Sequence, residues 1–327
     1  MRTLILNDTR SDQHIGCELV MQNLLRMCGR AGLTVMGTVL NSASDDEVIV
    51  RGRASEFELL LVNGEGTLHH DRPKAKSLSA AASAAARLGR KVVLLNTVWQ
   101  ANQALNEHLR DFDLVFCRES RSRAELAIAG CTATVVPDLV FATDVPPASG
   151  DASRRARGTV VIDSVDRATT LAWAWRAFRQ RAALMTMHES HCRLLQRRPW
   201  LQWGIRMRSQ RPIECLNADW ANQLRRFERV ISGRYHGCCL AMLLGIPTIG
   251  IPSNTHKIEG LFTDAGLGEA GIWRAQGSEA LERQFETVAS CRDRVAEYVA
   301  RAKGSIAAMF ERIAGLAHSQ TPIRQAG

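Results

Sequence analysis

Residues 228–267 read ERVISGRYHGCCLAMLLGIPTIGIPSNTHKIEGLFTDAGL, an order of apolar runs and glycine turns that fits a strand, a buried helix, a second strand and the start of another helix. Val230 and Ile231 end the first strand, and Ser232-Gly233 turns the chain into a helix expected from about His236 to Leu244. Gly245 closes that helix, and Ile246 to Ile251 forms the next strand, with Pro247 near its start. Arg234 and His236 then stand at a helix N-terminus, where free N–H groups and the helix dipole favour an anion, and a guanidinium supplies a planar fork for carboxylate or phosphate. Asn254 and Lys257 lie in the loop after the second strand. Ligands of open α/β sheets sit beyond the carboxyl ends of the strands, so both polar sets are expected on one crevice.

The same alternation runs along the rest of the chain. Strands are expected at Thr3–Leu6, Leu33–Leu40, Glu58–Asn63, Lys91–Leu95, Asp113–Cys117, Thr159–Asp163 and Ala183–Met187, and near Val135. Helices fit about Ile15–Arg30, Lys74–Leu88, Trp99–Leu109, Ala168–Arg181, Glu189–Gln196 and Asn217–Phe227, with one more beginning near Arg118. Residues 45–53 fit either a helix or a strand, and Ser278–Ala317 reads as a long helical tail with a break near Gly304. Repeated segments of these lengths specify an α/β fold of doubly wound, Rossmann-like parallel sheets. DVPPASGDASRRARG at 144–158 lacks periodicity and is rich in Pro, Gly, Ser and Arg, which marks a linker between domains at 1–146 and 159–327.

A chain of 327 residues can fill two cores, and 46% hydrophobic with 23% charged residues is the balance of a globular protein. The absence of a membrane-length apolar run and of a signal-like start points to the cytoplasm. Nine cysteines without Cys-x-x-Cys spacing, several of them at apolar helical positions as Cys17, Cys28 and Cys239 are, suit reduced core thiols. Neither histidine pair considered, His188/His191 or His69/His70, has partners at zinc-like spacing, so no metal is expected. The net charge of +9 suits a polyanionic partner, a phosphorylated substrate or an anionic membrane face. Arg193, Arg197, Arg198, Trp200, Trp203, Arg206, Arg208 and Arg211 mix bases with tryptophan. They fit a solvated basic face and a peripheral contact with the inner face of the cytoplasmic membrane equally well. No nucleic-acid motif accompanies them.

Three further polar groups fall at expected strand ends: Asn7, Asp8, Asp12 and His14; Asn63, Gly64, Glu65, Gly66, Thr67 and His69; and Arg118 with Glu119 and Ser120. Each has an ordinary reading as turn residue, helix cap or surface ion pair. Their convergence with Ser232, Gly233, Arg234, His236, Asn254 and Lys257 on one cleft between the domains would make them a site.

SGRYHG, a small-residue helix, Gly-x-Pro, Asn-x-x-Lys and a helix ending in Asp-x-Gly together resemble the C-terminal signature of the polysaccharide pyruvyltransferase family. GEGTLH and CRES followed by VVPD are similar to its first-domain glycine loop and Arg-x-x-Ser element, while DTRSDQHIGC stands where many members begin Asn-x-Gly-Asp. The resemblance implies a two-domain fold similar to GT-B glycosyltransferases, with the helical tail packed back across both domains. It also implies transfer of pyruvate from phosphoenolpyruvate to a sugar of a bacterial surface glycan as a ketal, with no cofactor and no metal. The acceptor could be lipid-linked. On that chemistry Arg234, Lys257 and Arg118 hold anions, His236 moves a proton or binds the phosphate, and Glu65 or Asp12 is the base. His14 completes the candidate catalytic set. Arg234→Ala is then expected to abolish donor binding and spare the fold. The same architecture also suits a GT-B glycosyltransferase that holds a nucleotide sugar at the helix beginning near His236, with an N-terminal Asp or His as base.

Overall fold

The computed structural model describes residues 1–147, 157–165, 167–179, 181–209, 211–274 and 277–317. Most of the expected linker, residues 148–156, lies outside the described residues. The chain divides into two compact units. The first comprises Met1–Ser11, Val20–Ala142 and the chain from Ala302 on, and the second comprises Asp12–Leu19 and Thr143–Arg301.

The first unit is built on six strands: β1 (Arg2–Asp8), β2 (Thr34–Leu40), β3 (Leu59–Glu65), β4 (Lys91–Thr97), β5 (Leu114–Cys117) and β6 (Thr134–Val135). All are parallel, in the order β2-β1-β3-β4-β5-β6. The helices are α1 (Ile15–Arg30), whose first residues group with the second unit, α2 (Asp46–Gly52), α3 (Pro73–Arg87) and α4 (Ser120–Ile128). Strands such as β3 are covered on both faces and therefore read as continuous apolar runs. Leu4, Leu6, Leu60, Val62, Val92 and Leu94 pack with Leu78, Ala82 and Ala85 of α3 in one core, and Pro73 opens that helix at a position that needs no N–H.

One open reading is resolved here and one expectation changes. Residues 46–52 form a helix, because buried Asp46 in its first turn accepts from Lys74 Nζ at 2.8 Å and from Ser77 Oγ at 2.7 Å. The helix expected at Trp99–Leu109 is only a 3-10 segment at Gln103–Asp111. Ala101 takes a left-handed φ of 50°, and the Trp99 N–H is spent on Ser122 Oγ at 2.8 Å, so helical bonding cannot begin at Trp99.

In the second unit the strands are β7 (Thr159–Ser164), β8 (Ala183–Thr186), β9 (Glu214–Cys215), β10 (Arg229–Gly233) and β11 (Thr248–Gly250), again all parallel, in the order β11-β10-β7-β8-β9. Its helices are α5 (Arg167–Arg179), α6 (Glu189–Gln196), α7 (Pro199–Ser209), α8 (Trp220–Arg225), α9 (Tyr235–Leu243), α10 (Lys257–Asp264) and α11 (Ser278–Ser290), followed by α12 (Arg292–Gly315), which ends in the first unit. The tail breaks at Cys291, where the backbone N–H turns back to the Val288 carbonyl, and Gly304 lies inside α12. The basic tryptophan segment becomes α7, a helix not foreseen from sequence, with Leu201 and Ile205 buried. No helix among the described residues is long and apolar enough to cross a membrane.

Each sheet reverses its direction of growth once, between β1 and β3 in the first unit and between β7 and β10 in the second. Ligands of doubly wound sheets bind beyond the carboxyl ends of strands at such points. Those ends carry Asn7, Asp8, Asn63 and Glu65 in the first unit, and Asp163, Ser164, Ser232 and Gly233 in the second.

Candidate functional site

Arg234 follows β10 directly in an extended conformation and stands at the residue before the first turn of α9. Ser232 Oγ accepts from the Arg234 N–H at 3.1 Å and donates to the Arg234 carbonyl at 2.8 Å, which pins the turn. Nε and Nη2 of Arg234 both donate to Asp163 Oδ2, at 3.2 and 2.8 Å. Asp163 is wholly buried at the end of β7, and its other oxygen accepts from the Met187 N–H at 2.9 Å. Burial raises the Asp163 carboxyl, but hydrogen bonds from His191 and Arg234 and the charge of Arg234 outweigh it, so the group is held below its ordinary range and ionised. His191 Nδ1 lies 2.7 Å from the same Oδ2, and because a carboxylate only accepts, that nitrogen carries the proton.

This grip has a directional consequence. Asp163 takes the Nε and Nη2 side of the guanidinium, and Nη1 makes no hydrogen bond among the described residues. The Arg234 side chain is still 11% exposed, so one end of a fixed planar cation remains open to an anion at the start of α9.

His236, the second residue of α9, stands beside His14, with ring centroids 5.4 Å apart and the planes at 62°. His14 Nδ1 accepts from the N–H groups of Gly16 at 3.1 Å and Cys17 at 3.4 Å and so caps α1, which leaves the proton of the neutral ring on Nε2. Desolvation first, then the charges of His236, Arg234 and His188, push the His14 pKa well below the ordinary histidine value. His188 forms a backbone bridge to His14, and its own pKa is lowered by burial and by Arg234. Gly16 lies against the His236 ring so closely that a Cβ there would come within 2.4 Å of it. Lys257 Nζ donates to Asn254 Oδ1 at 3.2 Å, with the lysine buried and the asparagine exposed.

His14, Cys17 and His236 also form a group of three metal-capable donors, their atoms within 4.8 Å of one another. The cap weighs against that use. A cation on His14 Nε2 would displace the ring's one proton while Nδ1 still accepts from the backbone, and a cation on Nδ1 would break the cap.

In the first unit the polar strand ends bind one another. Asn7 Nδ2 donates to the Asn63 carbonyl at 2.7 Å and to Thr67 Oγ1 at 3.2 Å, and Thr9 Oγ1 donates to Glu65 Oε1 at 2.9 Å. Asn7, Glu65 and Asn96 all take left-handed φ values, of 66°, 39° and 55°, at the ends of neighbouring strands, the kind of strain that concentrates at functional sites. Gly64 sits inside β3, where a Cβ would meet Thr97 at 2.4 Å, and Gly66 and Thr67 follow at half-buried positions. His69 is buried, with its Nδ1 2.8 Å from that of His70. Arg118 is 1% exposed and donates to buried Asp138 at 2.8 Å, so its charge is already compensated inside the fold.

The second unit thus groups His14, Ser232, Gly233, Arg234 and His236 around one sheet-reversal point, and Asp12, the last residue of a 3-10 turn at Thr9–Asp12, acts electrostatically on His188. Glu65, Gly64, Gly66 and Thr67 group with Asn7 and Thr9 in the first unit. Sequence reasoning did not single out Asp163 and weighed His191 only as a metal ligand, although an acid at the end of an apolar strand is the signal that marks Asp163.

The histidines give the second unit a pH dependence. Below the ordinary value of 6.5 the unfolded chain takes up protons that His14 and His188 resist in the fold, so their contribution is present above that value and is lost as pH falls toward their lowered pKa values. The melting temperature should therefore fall between about pH 6.5 and pH 5. His14→Asn, which keeps a capping acceptor, should flatten that slope, and an unchanged slope would show that His14 titrates normally.

The sequence has no match among curated proteins. Solved structures with the same fold include a crystal structure assigned as a UDP-N-acetylglucosamine 2-epimerase from Listeria monocytogenes, at a TM-score of 0.63 and 13% identity, covering 100% of this chain and 99% of that one. MurG from Acinetobacter baumannii aligns at 0.57 and 11% identity, covering 96% and 99%, and Anabaena HepE in complex with UDP-glucose at 0.56 and 12%, covering 98% and 100%. Two parallel Rossmann-like sheets with alternating helices are thus the GT-B-like arrangement of those proteins. A sequence model of polysaccharide pyruvyl transferases matches residues 14–255, a span that runs from the capping histidine of α1 to the loop after β11, and the chain belongs to that family.

Proposed function

We propose that the protein transfers pyruvate from phosphoenolpyruvate to a sugar of a bacterial surface polysaccharide, forming a ketal. The observation that carries this reading is the fixed guanidinium of Arg234 at the start of α9, the helix that also carries His236 in its first turn. Phosphoenolpyruvate presents a carboxylate and a phosphate, and Arg234, the α9 N–H groups and Lys257 are the donors for them. The reaction protonates the methylene carbon, which makes the adjacent carbon electrophilic. One sugar hydroxyl adds there, phosphate leaves with its bridging oxygen, and a second hydroxyl closes the ketal. His236 is the proton donor in this reading, and neutral His14 fixes its surroundings without adding charge. Asp12 is the first choice of base for the hydroxyl, with Glu65 the other candidate.

A second reading rests on the same helix start. HepE was crystallised with UDP and with UDP-glucose, and a nucleotide sugar also offers phosphate to such a position. Thermal shift separates the two. Phosphoenolpyruvate should raise the melting temperature, with UDP and UDP-glucose giving no shift, and phosphate should be released only when a glycan acceptor is added. Stabilisation by UDP-glucose and none by phosphoenolpyruvate would replace the first reading with glycosyl transfer.

A further inference from the structure

We infer that α7 is a docking face for an anionic lipid surface. Trp200, Trp203 and Met207 are 59%, 68% and 63% exposed, unusual values for side chains of this size. They stand at i, i+3 and i+7, and at about 100° per residue they fall within roughly 60° of the helix circumference. Leu201, Gly204 and Ile205 supply the buried side, so α7 packs by one face and presents the stripe on the other.

The charge around the stripe identifies the occupant. From Arg193 to Ile213 the sequence holds six arginines and no acid. Arg206 and Arg208 flank Met207 on the exposed helix, and Arg197 is exposed just before it. Arg193 pairs with Glu189, which precedes the run, at 3.1 Å. Indole rings with an apolar body and one N–H suit the headgroup level of a bilayer, and clustered arginines suit its anionic phosphates. A protein partner would need the stripe alone, whereas a bilayer accounts for the stripe and the one-signed charge together.

The inference is independent of the reaction proposed above. The test uses the whole protein and vesicles of phosphatidylcholine with or without phosphatidylglycerol. Flotation should carry the protein only with the anionic vesicles and should weaken as salt rises. Brominated lipid should quench tryptophan emission. Trp200→Ser with Trp203→Ser should abolish that quenching and lower binding roughly tenfold or more, and Arg206→Gln should lower it about fivefold. Because these side chains are exposed, circular dichroism and the melting temperature should stay as in the parent. Failure to float at low salt overturns the inference, as does equal flotation of the double tryptophan variant. Binding to single-stranded RNA without binding to vesicles, or a dimer that the tryptophan variant dissolves without any vesicle binding, overturns it in favour of those partners.

Discussion

Arg234→Ala should lose both donor binding and a large share of the protein's stability. Asp163 is wholly buried and is held ionised in part by Arg234, so removing the guanidinium leaves a carboxylate without its cation. Breaking one side of a buried pair costs about 3–5 kcal/mol, against a typical total of about 5–15 kcal/mol. The sequence alone places this arginine at a helix start and expects its removal to spare the fold; its pairing with buried Asp163 leads to the opposite expectation. Arg234→Lys restores a positive charge and should recover part of the melting temperature. It lacks the planar fork that serves Asp163 on one side and an anion on the other, so phosphoenolpyruvate should still give no thermal shift. Asp163→Asn in the Arg234→Ala background should recover stability by neutralising the stranded group. Calorimetric unfolding of the four proteins decides the matter, and an Arg234→Ala variant as stable as the parent would show that the pair contributes nothing.

His236→Ala should lower turnover about a hundredfold or more if the ring transfers a proton. Gly16→Ala should do the same without touching a titratable group, because its methyl would come within 2.4 Å of the His236 ring and force it aside. Overpacking of this kind costs about 1–3 kcal/mol, and the better helix propensity of alanine returns about 1 kcal/mol, so the fold should persist. Donor binding, measured by thermal shift, should survive in both variants, since Arg234 is held by Asp163 and Ser232 rather than by His236. A Gly16→Ala protein with parental turnover would remove the ring's position from the mechanism.

Much of the fold was legible because parallel strands buried on both faces leave continuous apolar runs, as in β3, β4 and β7, and glycine or polar turns punctuate them. Ambiguity arose where composition and environment disagree. Residues 46–52 carry β-branched side chains, yet the contact of Asp46 with Lys74 fixes a helix. Trp99–Leu109 has helical spacing, yet a left-handed Ala101 and a diverted N–H at Trp99 stop the helix from starting there. The helix over Pro199–Ser209 was hidden because its apolar residues fall on two faces, one buried and one exposed, which blurs the single stripe that periodicity detects.

The sequence by itself determined the two doubly wound sheets, the placement of Arg234 and His236 at a helix start, and the family signature, because each depends on local order along the chain. Tertiary structure decided what those residues can do. Asp163 and Arg234 are 71 residues apart, and only the pairing of β7 with β10 brings the carboxylate to the guanidinium and leaves one end of it open. His14 belongs by position to the opening of the chain, yet it groups with the second unit beside His236, more than two hundred residues away. Arg118 and Arg234 look alike in the sequence, each an arginine just beyond a strand. Arg118 is 1% exposed and pairs with Asp138 inside the core, whereas the side chain of Arg234 keeps 11% exposure beyond the grip of Asp163.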